Sequence, residues 1–446
     1  MIPRPLFVRA LAFLALVLGS TTAARCQSDA TPLSNSTAKT TASAAATAQS
    51  AAVIASDRAP DASPDEQRRV MDQSARTAWN YVRRNYSSSS GMVKALDTWD
   101  YVTIWDIASA AAAYYSAHGL KLIDDADYHG RMSRLLATLE TMPLYDGAAF
   151  NKQYASRSGS MVDRSQHVST RGFGWSAMDM GRFLIWMKII AATDPELAPA
   201  ATRVVQRLDL KRLIANGYLN GANIDVDDHQ HHEYQEGRIG YEQYSAEGFA
   251  LWGARADKAL DFAVNGVPAQ VLGVNILADR RGDDLLTSEP FIMMGMELGW
   301  PNATWEQQAH NVLAAQRARF EKTGTMTMLS EDAVPVKPAY FYYYLLHDGD
   351  GDFVVRSPLG DKDSSYPRWI SAKAAFGWHA LFPSDYTWNA VRAVLPAGRT
   401  GNGWNAGVYE RSKRPTPAFN LNTAALVLEA AYYAQRGCPL IRPSCS

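Results

Sequence analysis

Beyond residue 64, apolar side chains return every three or four positions through most of the chain, the spacing that gathers them on one face of an α-helix. Ten stretches carry this pattern: Asp65 to Asn85, Thr103 to Ala117, Tyr128 to Thr141, Trp175 to Ala192, Pro195 to Leu208, Tyr241 to Gly253, Pro290 to Gly299, Thr304 to Lys322, Ala372 to Phe382 and Leu421 to Arg436. Weaker versions lie around Ala259 and Trp388. Strand-like runs are confined to short pieces, notably Gln270 to Ile276 and Tyr340 to Leu346. The pattern therefore predicts an all-α fold with short β insertions. About a dozen helices with short and long connections mixed suit two concentric rings, an (α/α)6 toroid, better than a simple bundle. A solenoid would need a fixed repeat period, and none is visible.

The first 64 residues read differently. Arg4 and Arg9 precede a continuous apolar run from Ala10 to Gly19, and the small residues Ala23 and Ala24 follow, the layout of a secretory signal peptide over residues 1–24. That run falls far short of the ~20 apolar residues that span a bilayer, so no transmembrane segment is expected. Cys26 raises the question of a lipid anchor, but Arg25 stands where lipid attachment wants a small residue. Residues 25–64 are dominated by Ala, Ser and Thr and read as a disordered tether. Composition is uniform afterwards, so residues 65–446 read as one large domain. The expected location is periplasmic or secreted. There Cys438 and Cys445 are placed to close a small loop, with two free thiols as the alternative.

With 44 basic against 45 acidic side chains, the net charge of −1 supplies no broad positive field and points away from nucleic acid as a partner. Aromatics are abundant, with 12 Trp and 21 Tyr. Several loop-to-helix segments combine them with carboxylates and glycine: Thr103 to Asp106, Gln235 to Glu242, Thr287 to Pro290, Ser330 to Asp332 and Gly403 to Glu410. Sugar chemistry asks for this mixture, because rings stack on the apolar faces of pyranoses while two carboxyls act on the glycosidic bond. The candidate catalytic residues are Glu236, Glu289 and Asp106. Trp105, Trp175, Arg238, Tyr241, Asp332, Trp378, Trp404 and Tyr409 are the candidate substrate-binding residues.

Plainer roles compete. Thr103 and Asp106 have capping-box spacing, and Glu289 before Pro290 suits a helix N-terminus, whereas Glu236 lacks the Ser/Thr partner of an ordinary cap. Trp186 and Trp252 lie in strongly apolar helices and read as core, and the run Tyr340 to Tyr344 reads as a buried edge. No cofactor or metal is expected. The segment Asp227 to Glu233 lacks the spacing that puts two imidazoles on one helix face, and Asp348 to Asp352 begins like a calcium loop but has Phe353 and Leu359 at the turn-glycine and bidentate-Glu positions. Nucleophile-elbow, phosphate-loop and dinucleotide fingerprints are missing.

At these segments the sequence resembles the domain-of-unknown-function 3131 (DUF3131) family. The matching stretches are Thr103 to Ser109, Arg131 to Leu144 with Phe150-Asn151-Lys152, Gly172 to Arg182, Gln235 to Tyr244, Thr287 to Phe291, Ser330 to Asp332, Ala372 to His379 and Asn422 to Glu429. That family is distantly similar to glycoamylase-like (α/α)6 proteins, β-1,2-glucanases among them. The resemblance implies a glycoside hydrolase of the bacterial envelope acting on a β-glucan or exopolysaccharide. In that reading Glu289 at a helix N-terminus stays ionised as base and a more enclosed Glu236 holds a proton as acid. A non-catalytic glycan-binding or export-accessory protein is the alternative. A polysaccharide lyase using Arg238 and Tyr241 is a third reading.

Overall fold

Helices Ile104–Gly119, Ala177–Thr193 and Leu421–Arg436 are buried on nearly every face, as only helices at the centre of an assembly can be. The computed structural model describes residues 59–225, 229–281, 286–337, 339–346, 353–357 and 366–445. The expected signal peptide, Cys26, most of the tether, Asp227-Asp228 and Asp348 to Asp352 lie outside the described residues.

The helices alternate between an outer and an inner layer. The inner ones are Ile104–Gly119, Ala177–Thr193, Tyr241–Ala250, Glu289–Met293 with its continuation Met294–Leu298, Ala372–Leu381 and Leu421–Arg436, and each packs on the next, the last returning to the first. Outside them lie Pro64–Asn85, Asp125–Thr141, Ala198–Gln206, the single turns Asp257–Leu260 and Phe262–Asn265, Ala303–Thr323 and Asp385–Val394. This closed double ring is the expected (α/α)6 toroid. The weak periodicity at Ala259 corresponds to the two single turns, and that at Trp388 to a full helix.

Small residues let the inner helices approach closely. A Cβ on Gly248 would stand 2.0 Å from the Gly181 carbonyl oxygen, and one on Gly181 would stand 2.3 Å from the Ser245 Cβ, so these two glycines permit the contact between Ala177–Thr193 and Tyr241–Ala250. β-structure is more frequent than the pattern predicted, but it is confined to short strands. Gln270 to Ile276 is a hairpin, Gly266–Val271 with Val274–Asp279, folded at Leu272 and Gly273, both at positive φ. Two three-stranded sheets, Ile214–Ala215/Tyr218–Ile224/His231–Gln235 and Glu331–Val336/Ala339–Leu346/Phe353–Arg356, rise beside the starts of inner helices.

At the centre of the ring lies a charged, fully buried cluster. Arg182 contacts Glu429 at 3.1 Å and Glu297 at 3.7 Å, and Trp186 donates to Glu297 at 2.9 Å. Glu297 lies on a π-turn, Met294–Leu298, and also accepts the Tyr244 hydroxyl. Burial and the charge of Glu297 push the Glu429 carboxyl far up, so it keeps its proton and hydrogen-bonds Glu297. Arg182 also donates to the Ser109 hydroxyl at 2.8 Å, and its guanidinium lies 4.9 Å from the Trp105 ring centre. The chain end locks this arrangement from outside. The N–H groups of Leu440 and Ile441 donate to the Met296 and Glu297 carbonyls, both at 2.9 Å, and a Cys438–Cys445 disulfide closes the loop they belong to.

Arg182→Met removes the cation that two buried carboxyls, Glu297 and Glu429, share and should cost about 3–5 kcal/mol in urea unfolding, whereas Glu429→Gln, which replaces a carboxyl that keeps its proton, should cost about 1 kcal/mol or less. Opening the eight-residue loop with Cys438→Ser and Cys445→Ser should cost about 2–3 kcal/mol by loop-closure entropy, read as a lower Tm.

Candidate active site

Six inner helices begin at the same end of the ring, and their first turns form the floor of one cavity of about 320 Å³. Trp105 and Asp106, Met178 and Asp179, Tyr241, Glu289, Lys373 and Asn422 each come from the opening turn of a different inner helix. Local sequence sets these starts. Thr103, Ser176, Ser371 and Asn420 accept first-turn N–H groups, and the Gly240 N–H donates to the Gln243 side chain at 2.8 Å. Every dipole thus turns its positive end toward the cavity, where negative groups are held favourably.

Carboxyls fill that field in two clusters joined by Asp106. On one side the Glu236 carboxylate accepts the Ala177 N–H at 2.6 Å, at the start of Ala177–Thr193, and Asp179 stands in the same first turn. A Cβ on Gly221 would lie 2.6 Å from Glu236 Oε2, so glycine there is what admits the side chain. Lys152 faces this cluster and donates to Asn223 Oδ1 at 2.5 Å and to the Tyr234 hydroxyl at 2.9 Å. Burial pulls the Lys152 ammonium down to about 8, although the charge of Glu236 opposes the fall. Burial lifts Glu236, against Lys152 and the N–H donors; burial, then the charges of Glu236 and Asp106, lift Asp179 to about 7.

On the other side Lys373 bridges Glu289, at 2.8 Å, and Asp332, at 3.6 Å. Glu289 also accepts the Tyr241 hydroxyl at 2.6 Å, and Asp332 accepts the Trp369 indole N–H at 2.7 Å. Burial raises Asp332 to about 6, with Lys373 opposing. Asp106 realises the capping box predicted for it, accepting the Thr103 N–H and hydroxyl, each at 2.9 Å, yet it also lines the cavity. Burial raises it to about 6. The capping and cavity roles are compatible because an N3 side chain on an inward-starting helix points to both.

Three candidate catalytic residues and four of the candidate binding residues, Trp105, Arg238, Tyr241 and Asp332, line the cavity. The other four do not. Trp175 is fully buried and donates to the Asn220 carbonyl at 2.9 Å. Trp378 lies two turns into its helix and donates to the Ser288 hydroxyl at 2.9 Å, so it backs Glu289 from the core. Trp404 donates to the Ser74 carbonyl at 3.0 Å and anchors its loop on the outer helix. Tyr409 pairs with Trp369 in a short strand, and its neighbour Glu410 is taken up by Arg319 at 2.8 and 2.9 Å.

A further correction concerns the aromatic run. It is a strand, Ala339–Leu346, but only one of its faces is core. Glu331 and Ala333 pair with Tyr343 and Phe341, and this face lines the cavity, while Tyr342 and Tyr344 are buried. Alternation, not bulk hydrophobicity, was the signal. Arg238 lies 4.9 Å from the Tyr241 ring and 5.4 Å from the Tyr343 ring and is ion-paired with Glu331. Lys152, Asp179, Lys373 and Asn422 were also missed; their shared first-turn position ahead of a capped inner helix would have found three of them.

Residues 73–437 match the family described as "Protein of unknown function (DUF3131)". The chain belongs to the DUF3131 family. Solved structures carry the same fold at low identity. An endo-β-1,2-glucanase from Chitinophaga pinensis, bound to sophorotriose and glucose, has a TM-score of 0.58 at 11% identity, covering 85% of this chain and 96% of its own. An endo-β-1,2-glucanase from Talaromyces funiculosus with sophorose gives 0.55 at 12%, over 81% and 83%. A β-1,2-glucanase from Parabacteroides distasonis gives 0.57 at 12%, over 85% of this chain and 58% of that one. The curated proteins contain no match.

In this DUF3131 protein the cavity gathers six carboxyls, Asp106, Asp179, Glu236, Glu289, Glu331 and Asp332, with three cations, Lys152, Arg238 and Lys373. Such a floor can hold protons on some acids and charge on others, the division that acid/base chemistry needs. It also carries a cost in stability. Asp106 and Asp332 at about 6, and Asp179 and Glu242 at about 7, bind protons more tightly folded than unfolded, where carboxyls titrate near about 4. The resulting stabilisation is complete below that lower value and is lost as pH rises through the folded values. The Tm should therefore fall between pH 4.5 and 8, and Asp179→Asn should flatten part of that fall; an unchanged slope would contradict the titration of Asp179.

Proposed function

We propose that this cavity hydrolyses a β-linked glucan of the bacterial envelope, with β-1,2-glucan the first substrate to test. One observation carries the reading: two carboxyl clusters, Glu236 with Asp179 and Glu289 with Asp332, face one aromatic-walled cavity, and Asp179 and Glu289 come from inner helices that are not neighbours in the ring. A glycosidic bond laid between them meets a proton source on one side and a base for water on the other. The side of Glu236 supplies the acid, because burial favours the neutral form there. Glu289, paired with Lys373 and hydrogen-bonded by Tyr241, is placed as the base on the other side. Phe341 and Tyr343 offer ring faces for a pyranose. The β-1,2-glucanases of the same fold support the substrate class.

The lyase reading needs a free cation for a uronate and a tyrosine able to lose its proton. Arg238 is ion-paired with Glu331, and burial together with Glu289 holds the Tyr241 hydroxyl far above its ordinary range. Six acids against three bases around the cavity also oppose an anionic sugar. A periplasmic or secreted location is part of the proposal, supported by the N-terminal apolar segment and by the Cys438–Cys445 disulfide.

Purified protein incubated with linear and cyclic β-glucans should release reducing or oligomeric products detectable by chromatography. Glu289→Gln should lower kcat by about 10²–10⁴. Phe341→Ala and Tyr343→Ala should raise KM several-fold with a smaller change in kcat. Binding without any product from the unaltered protein would favour the glycan-binding alternative.

A further inference from the structure

The first turn of Ala177–Thr193 has three N–H groups free of the helix ladder, and their partners are already assigned. The Ala177 N–H donates to Glu236, the Met178 N–H also supports Glu236, and the Asp179 N–H donates to the Ser176 hydroxyl oxygen at 3.1 Å. Glu236 therefore occupies the position that stabilises a negative charge, fixed there by the close approach over Gly221. The Asp179 carboxyl receives no backbone donor from that turn. It lines the cavity beside Glu236, with Asp106 facing it from the first turn of Ile104–Gly119.

We infer that Asp179 is the group that gives its proton to the glycosidic oxygen, and that Glu236 is a fixed negative neighbour that keeps the proton on Asp179 until substrate arrives. The inference rests on the hydrolase reading of the cavity and changes the acid within it. The proton of Asp179 moves to the bridging oxygen, the bond from the anomeric carbon to that oxygen breaks, and its electron pair leaves with the alcohol. Water attacks the anomeric carbon and passes its proton to Glu289, so one water is consumed per bond. Asp179 ends ionised and is reprotonated from solvent.

The charged surroundings agree with this division. Glu236 from the loop after His231–Gln235, Asp106 from Ile104–Gly119 and Lys152 from the segment after Ala149–Phe150 all act on Asp179, and the Tyr234 hydroxyl lies against Lys152. Burial first, then the charges of Glu236 and Asp106 against the Ser176 hydroxyl and Lys152, lift the Asp179 carboxyl to about 7, a value suited to a proton donor at neutral pH. Lys152 favours charge on Glu236, so it is a positioning residue that helps to decide which acid is ionised.

Infrared difference spectra between pH 5.5 and 8.5 test the proton's place without any substrate. Asp179 and Glu242 both titrate near pH 7, so the carbonyl stretch there has two components; that of Asp179 should be lost in Asp179→Asn, and also in Asp179→Ala should the first variant fold poorly, while that of Glu242, identified by its loss in Glu242→Gln, remains. In Glu236→Gln the Asp179 component should persist but titrate about one unit lower or more, because a like charge has been removed. A band that survives in Asp179→Asn and vanishes in Glu236→Gln, or one that never titrates, overturns the inference. Kinetics supply the second arm. Asp179→Asn should lose about a hundredfold or more on a β-glucan and far less on a nitrophenyl β-glucoside, whose leaving group needs no proton; an equal loss on both overturns the role as acid. If the unaltered protein turns over no glucan, the hydrolase reading fails, while the infrared result still decides which carboxyl holds the proton.

Discussion

Everything about this site depends on a ring of inner helices that all start at one end. A carboxylate in a cavity with little water is costly unless something positive faces it, and six converging helix N-termini supply that without a side chain being assigned to each acid. The same geometry puts residues separated by more than three hundred positions, such as Asp106 and Asn422, into one opening. Arg182 ties helices Ala177–Thr193, Leu421–Arg436 and the π-turn Met294–Leu298 together across the ring through Glu429 and Glu297.

That central cluster also supports the floor above it. Arg182 underlies the Trp105 ring, and its donation to Ser109 continues into the hydrogen bond from Ser109 to Asn422 at 2.7 Å. Buried polar groups of this kind add little net stability against an apolar alternative, but they define one arrangement strongly, since any slip leaves a charge unpaired. The loop carrying Arg238 is held in a comparable way. Arg281 pairs with Glu242 at 2.6 Å and with Asp279 at 2.5 Å, and Asp279 accepts the Ile239 N–H at 2.9 Å.

The β insertions decide what kind of substrate the floor can meet. Strand Ala339–Leu346 splits its rings between core and cavity, so one hairpin is both anchored and exposed to ligand. Its register with Glu331–Val336 sets Glu331 against Tyr343 and brings Asp332 to Lys373 and Trp369. Phe341 and Tyr343 are thereby fixed in the wall of the cavity that the acids line. Along the chain the strand's aromatic density masks this alternation.

Helix periodicity, the capping residues and the acid-aromatic segments were legible along the chain, because each depends on neighbours within four or five positions. So were the double ring, from helix number and connection lengths, and the cavity places of Asp106, Glu236, Glu289 and Asp332. Which tryptophans face the cavity was not legible: Trp105 and Trp404 have similar local surroundings, but one lies on an inner helix start and the other is pinned to Ser74 on an outer helix. Nor could local order show that Asp179 shares a helix terminus with Glu236, or that Lys373 bridges two acids. Charge interactions act across space within a few ångströms, and only ring closure decides which distant residues come within that range.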